Sequence, residues 1–141
     1  MARKKNIKFE QDFEGVIFGI ISQLKDYRLC WHINKQLDLD LRRMNDLEII
    51  NRRKNKTAIY SLYKYENEMD KWVVNLVSNK YQSENLIPEM KQADFFLVIR
   101  GEVNNDHRQM ISSSLKNISD TQLVILIDYA SLKSGEYLIF E

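Results

Sequence analysis

The run Phe95-Phe96-Leu97-Val98-Ile99 constrains the fold of this chain more than any other segment. Neither alternate set of its side chains is polar. A strand built from it must therefore be buried on both faces, as an inner strand of a covered sheet. Its flanks carry the local signals. Pro88, the only proline, fixes φ and drives Ile87 into extended backbone, so Pro88-Glu89-Met90 reads as the first turn of a short helix. Gly101 marks the exit of the strand.

The rest of the chain is read against that strand. Residues 15–21 form a second apolar strand, with Gly19 marking a bulge or a close backbone approach. Ser22 is the expected cap of a helix over residues 24–37, whose buried face is the row Leu29, Ile33 and Leu37 beside Cys30. Leu47 to Ile50 reads as a short strand, and Arg52-Arg53-Lys54-Asn55-Lys56 as a basic turn. Residues 57–65 and 72–81, rich in aromatic and β-branched side chains, flank a polar loop and predict an antiparallel hairpin. Asn104 or Asn105 then caps a second helix that turns Met110, Ile111, Leu115 and Ile118 inward. Residues 123–127 give a third apolar strand and residues 137–140 a last short one.

Strand, helix and strand from Phe95 to Ile127 make a βαβ unit with a right-handed crossover between parallel strands. The expected fold is α+β: a mixed β-sheet with a central β-hairpin, a C-terminal βαβ unit and two main helices. It occupies residues 13–141 as one domain behind a flexible basic lead-in over residues 1–12. Three strands are then apolar on both faces, with only two helices to cover them. The helices must lie on opposite faces of the sheet, or a second copy of the chain must cover one face as a homodimer.

A chain of 141 residues with 29% charged and 44% apolar residues fits a folded soluble domain, and a net charge of +1 gives no global field toward nucleic acid or membrane. Cys30 is the only cysteine, which excludes an internal disulfide and a thiolate cluster. The N-terminal segment has positive charge before apolar residues. Glu10, Asp12 and Glu14 interrupt it and the apolar run is short, so a cytoplasmic protein is expected rather than a secreted or membrane-spanning one.

Two blocks carry a resemblance. Leu24-Lys25-Asp26-Tyr27-Arg28-Leu29-Cys30-Trp31-His32-Ile33-Asn34 and the segment Ile87-Pro88-Glu89 resemble the IPExxxDY family of Bacteroidetes bacteria, over most of the chain. Here four residues, Met90, Lys91, Gln92 and Ala93, separate Glu89 from Asp94, and Phe95 stands where the family name has Tyr. The family has no assigned activity, so the resemblance implies lineage and size but no reaction; no cofactor is expected.

Catalytic motifs are missing from the sequence. The four glycines are scattered, so no phosphate-cradling loop is formed, and His32 and His107 fall on different helices. Cys30 and His32, two apart on a helix, point in different directions. Glu89 and Asp94 are the carboxylates nearest to a pair, yet each has a simpler role at a helix start or a strand start. Lys25, Arg28, His32 and Lys35 share one helix face. Arg42, Arg43, Arg52, Arg53, Lys54 and Lys56 follow, Arg3, Lys4 and Lys5 precede, and Tyr60, Tyr63, Tyr65 and Trp72 offer aromatic surface. Basic clusters beside aromatics suit RNA, with cations on phosphates and rings stacking on bases. The order of elements also resembles, loosely, ferredoxin-like regulatory modules that dimerise and bind small ligands. The leading expectation is a non-catalytic adaptor or regulator acting on an unidentified protein partner or as a homodimer. RNA binding and small-ligand binding are the alternatives.

Overall fold

Strand β9, Phe95–Arg100, is buried from Phe95 to Ile99 and lies inside a six-stranded sheet. The structure is a computed structural model and describes residues 13–69 and 71–140; the expected lead-in lies outside them, as do Arg3, Lys4 and Lys5. β9 pairs with β1 (Gly15–Ser22) on one side and β6 (Trp72–Ser78) on the other. Beyond β6 lie β5 (Leu62–Asn67) and the short β2 (Arg42–Arg43), and beyond β1 lies β10 (Thr121–Ile127). Every ladder in this sheet is antiparallel among the described residues. β9 and β10 both run against β1, so they point the same way. Helix α2 (Asn105–Lys116) connects them, and the βαβ unit is split by β1 rather than closed on itself.

Alternation sorts the central strands into two layers. Phe18, Leu97 and Leu76 lie opposite one another across β1, β9 and β6, as do Val16, Ile99 and Val74, and both rows belong to the helix-facing core. Helix α1 (Asp26–Leu37) contributes Leu29, Cys30 and Ile33 to that layer, and α2 contributes Ile111 and Leu115. Ile17, Phe96, Val98 and Val77 point the other way, into a second core with Tyr60, Ile87, Tyr129 and Leu138.

Both helices therefore lie on one face and touch each other. The opposite face is covered by the hairpin of β3 (Leu47–Asn51) and β4 (Lys56–Tyr60), by the β-ribbon of β7 (Lys80–Tyr81) and β8 (Glu84–Asn85), by the Pro88 turn, and by the C-terminal tail. Neither helices on opposite faces nor a second subunit is needed, and the reason for a homodimer drawn from an uncovered face falls away. Among the described residues no helix is long and apolar enough to cross a membrane.

Several local expectations change. Residues 57–65 are two strands, not one arm of a hairpin. The chain passes from the second core into the main sheet at Ser61, whose N–H donates to Ser78 Oγ at 3.0 Å. The hairpin of the main sheet is β5–β6 alone, and β6 stops at Ser78 because Asn79 turns out of the ladder. α1 starts at Asp26 and has no side-chain cap; Ser22 Oγ instead donates to the Asp120 carbonyl and accepts from Leu24 N–H. The α2 cap is Asn104, accepting from His107 N–H at 2.8 Å, and Met110 is exposed rather than turned inward. β10 is an edge strand with Leu123 and Leu126 half-exposed, so it is not buried on both faces. The tail ends in a 3-10 turn, Gly135–Leu138, instead of a strand.

Gly19 marks a close approach, since a Cβ there would meet Ile127 Cδ1 at 2.9 Å; the register break of β1 lies at Ile21/Ser22 instead. Gly15 is the more demanding position, with φ +148° and its missing Cβ directed into the Ile99 carbonyl oxygen. Gly15→Ala is expected to destabilise the protein by roughly 1–3 kcal/mol from backbone strain alone, read as a shift in the urea unfolding midpoint.

Candidate functional site

The segment around Pro88 is a connection laid across a buried sheet face, and its backbone polar groups need partners that a strand would have supplied. Asn79, fully buried, provides them. Its Oδ1 accepts from Ile87 N–H at 2.8 Å, and its Nδ2 donates to the carbonyls of Met90 at 3.0 Å and Ala93 at 2.9 Å. Its own backbone binds Asp94 O and Leu86 N–H. One side chain thus holds both ends of the loop that carries Ile87, Pro88 and Glu89. Ile87 is fully buried beneath it, and Pro88 opens a 3-10 turn, Pro88–Met90, in place of a longer helix.

The two carboxylates of the segment are held apart by separate tasks. Glu89 accepts from Ser134 N–H at 2.6 Å and Ser134 Oγ at 3.1 Å, tying the Pro88 turn to the tail. Partial burial pushes the Glu89 carboxyl upward, but the N–H groups of Ser134, Glu89 itself and Lys133 and the Ser134 hydroxyl outweigh it. The net result is a pKa below the ordinary glutamate value. Asp94 accepts from Ser22 N–H at 2.9 Å at the end of β1, and Phe95 packs in the helix-facing core. Ile87, Pro88, Glu89, Asp94 and Phe95, which carry part of the resemblance, are brought together as a brace between the sheet, the loop and the tail.

The expected basic face forms, with one addition. Lys25, Arg28 and Lys35 are exposed on α1 and His32 is half-buried. Between them stand Tyr27 and Trp31, 61% and 56% exposed, an i,i+4 pair on the same side of the helix. Lys35 Nζ lies 5.0 Å from the Trp31 ring centroid, and the His32 ring meets Trp31 edge-on at 5.0 Å. Tyr27, Arg28, Trp31 and His32 enclose an open surface depression of about 440 Å³.

The opposite side of the helix is fixed. Asp26 in its first turn accepts from Arg43 Nη1 and Tyr63 Oη, both at 3.2 Å, while Arg43 also binds Asp46 at 2.6 Å and lies 5.4 Å from the Tyr63 ring centroid. At the other end Asp38 takes a left-handed conformation, and the Asn34 side chain both donates to and accepts from the Leu41 backbone.

Other expected surface does not assemble. Tyr60 and Tyr63 are buried, and Tyr65 and Trp72 are half-buried, so they offer little stacking area. Arg52, Arg53 and Lys54 are exposed at the β3–β4 turn, on the far side of the sheet from α1, where Lys54 pairs with Glu84 at 3.7 Å. Cys30 is buried on the inner face of α1. Burial, then the charges of Asp26 and Asp40, push its thiol up to about 11, which leaves it protonated and inert at neutral pH. His107 is exposed and meets Trp72 edge-on at 5.2 Å. No group of three or more His, Cys, Asp or Glu among the described residues is arranged to hold a metal ion.

The sequence reading overlooked Tyr27, Trp31 and Asn79. Trp31 and Tyr27 carried a signal, their four-residue spacing alongside the basic row. Asn79 carried a weaker one, a polar residue closing an apolar strand.

No family model matches the chain, and neither a curated protein nor a solved structure matches it.

Asn79→Ala leaves a buried carbonyl, a partly buried carbonyl and a buried N–H without partners and is expected to cost about 3 kcal/mol, measurable by chemical denaturation. For Glu89 the folded pKa lies below the unfolded value of about 4.3, so its contribution is complete above that pH and disappears as pH falls through the folded value. An NMR titration of the Ser134 amide should follow that lower midpoint, and Glu89→Gln should abolish the transition.

Proposed function

We propose that this is a cytoplasmic, non-catalytic binding protein that docks an acidic protein partner on the exposed face of α1. The observation that carries the proposal is the pair Tyr27 and Trp31, both more than half exposed and set among Lys25, Arg28, His32 and Lys35. Trp, Tyr and Arg are the side chains that most often dominate the energy of protein interfaces. Basic groups at the rim favour a partner of negative charge and speed its approach. The buried anchors of α1 support the same reading: the helix is locked at both ends and along its inner row, so little ordering cost attends docking. Glu89 and Asp94, each occupied by a separate backbone contact, leave a catalytic reading without a free carboxylate pair.

The family assignment is part of the proposal. Membership of the IPExxxDY family is supported by the two motif blocks, one presenting the exposed aromatic pair and the other bracing the sheet.

RNA is the second reading, favoured by the stacked Trp31–Lys35 pair, which would also suit an unpaired base. It draws on the α1 face alone, since the Arg52–Lys54 turn lies on the far side of the sheet.

Affinity purification of the intact chain from its native cell, with and without ribonuclease, separates these readings. A docked protein should survive ribonuclease treatment and be lost with Trp31→Ala, which is expected to weaken binding by about 2 kcal/mol, roughly thirtyfold in Kd. Replacement of Arg52, Arg53 and Lys54 should leave it bound. Loss with ribonuclease, together with an affinity for RNA that falls steeply as salt rises, would replace the protein partner by RNA. Retention of all partners by the Trp31→Ala variant would overturn the α1 docking surface altogether.

A further inference from the structure

The second core carries a cleft that the α1 surface does not use. It opens between the inner face of the β3–β4 hairpin and the wall made by Glu84, Leu86, Pro88 and Tyr137, and has a volume of about 260 Å³. The hairpin side is graded. Asn51 lies opposite Lys56 at the mouth, Ile49 opposite Ala58 in the middle, and Leu47 opposite Tyr60 at the inner end. Exposure falls along the same line, from exposed Lys56 to buried Ala58 and Tyr60.

Tyr60 is 2% exposed, and its hydroxyl, which makes no hydrogen bond to another described residue, keeps access to solvent. Its ring meets Tyr81 edge-on, and the residue lines the cleft. A phenol hydroxyl that no protein group occupies, on a residue lining a cleft, is available to a group that enters it. At the mouth, Glu84 is paired with Lys54, while Lys56 has no ion-pair partner among the described residues. The cleft therefore presents a donor at its floor, apolar walls and an uncompensated cation at its mouth.

We propose that this cleft binds a small single-ring carboxylate carrying a second oxygen at the far end of the ring. The carboxylate pairs with Lys56, the ring packs between Ala58, Ile49, Leu86 and Pro88, and the distal oxygen accepts a hydrogen bond from the Tyr60 hydroxyl. The volume lies just below the usual range for drug-sized ligands, which suits one ring rather than a dinucleotide or a folded peptide. Burial, then the nearby Glu84 charge, raises the Tyr60 pKa and keeps the phenol protonated as a donor. The site is independent of the α1 surface, and its failure would leave that surface untouched.

The test uses the intact chain, 3-(4-hydroxyphenyl)propanoate as the probe, and two relatives of it: 3-phenylpropanoate, which lacks the distal oxygen, and the primary amide, which lacks the charge. Amide NMR shifts should saturate at Ala58, Leu86 and Tyr137. Each lesser probe should bind roughly tenfold more weakly. Tyr60→Phe should remove the discrimination against 3-phenylpropanoate, and Lys56→Met, an exposed change, the discrimination against the amide. No saturable shift at about 10 mM probe, shifts centred elsewhere, or unchanged discrimination in both variants would each overturn the proposal.

Discussion

β9 is paired along both edges and desolvated on both faces, and the architecture follows from satisfying that one strand. Its five buried residues divide between two layers, Phe95, Leu97 and Ile99 toward the helices and Phe96 and Val98 away from them. At roughly 1.5–3 kcal/mol for each large apolar side chain, their burial amounts to about 7–15 kcal/mol. That is comparable to the whole net stability of a domain. The strand cannot gain this unless both covers are in place, which makes the two layers cooperative.

The covers differ in kind, and the difference explains where the polar residues went. Helices satisfy their own backbone, so α1 and α2 cover one face with apolar rows and need polar anchors only at their ends, as Asp26, Asn34 and Asn104 show. The other face is covered by turns, short ribbons and a tail, whose N–H and C=O groups lack a ladder. Buried Asn79 and exposed Glu89 supply missing partners there, while Asp94 caps the end of β1. A segment that reads as a pair of carboxylates beside a proline is in this setting a device for closing an irregular layer over an apolar sheet.

Function is proposed on the two surfaces that this division creates. On the helix side, α1 is fixed by its inner face, which leaves Tyr27 and Trp31 displayed on a rigid support. On the other side, a hairpin packed against irregular chain does not fill space as evenly as a helix, and the cleft at Tyr60 is the residue of that mismatch. The basic residues, which look like one cluster along the chain, are separated by the sheet into two.

Local chemistry along the chain was enough for the α+β class, the covered strands β1 and β9, the Pro88 turn, an asparagine cap at residue 104 or 105 and the core row of α1. Each depends on neighbours a few residues away: alternation, a fixed φ, a capping oxygen, a four-residue repeat. Where β1 would insert depended on contacts between distant segments, and so did the choice of one face for both helices. Periodicity reports that a side chain is buried, not against what. The same limit hid Asn79, whose three partners lie 8 to 14 residues away around a loop. It also hid the open hydroxyl of Tyr60, because a tyrosine in a strand looks the same whether its hydroxyl meets a partner, water or a cleft. Only the packed sheet, by bringing those segments together, decided which polar groups were satisfied and which were left open.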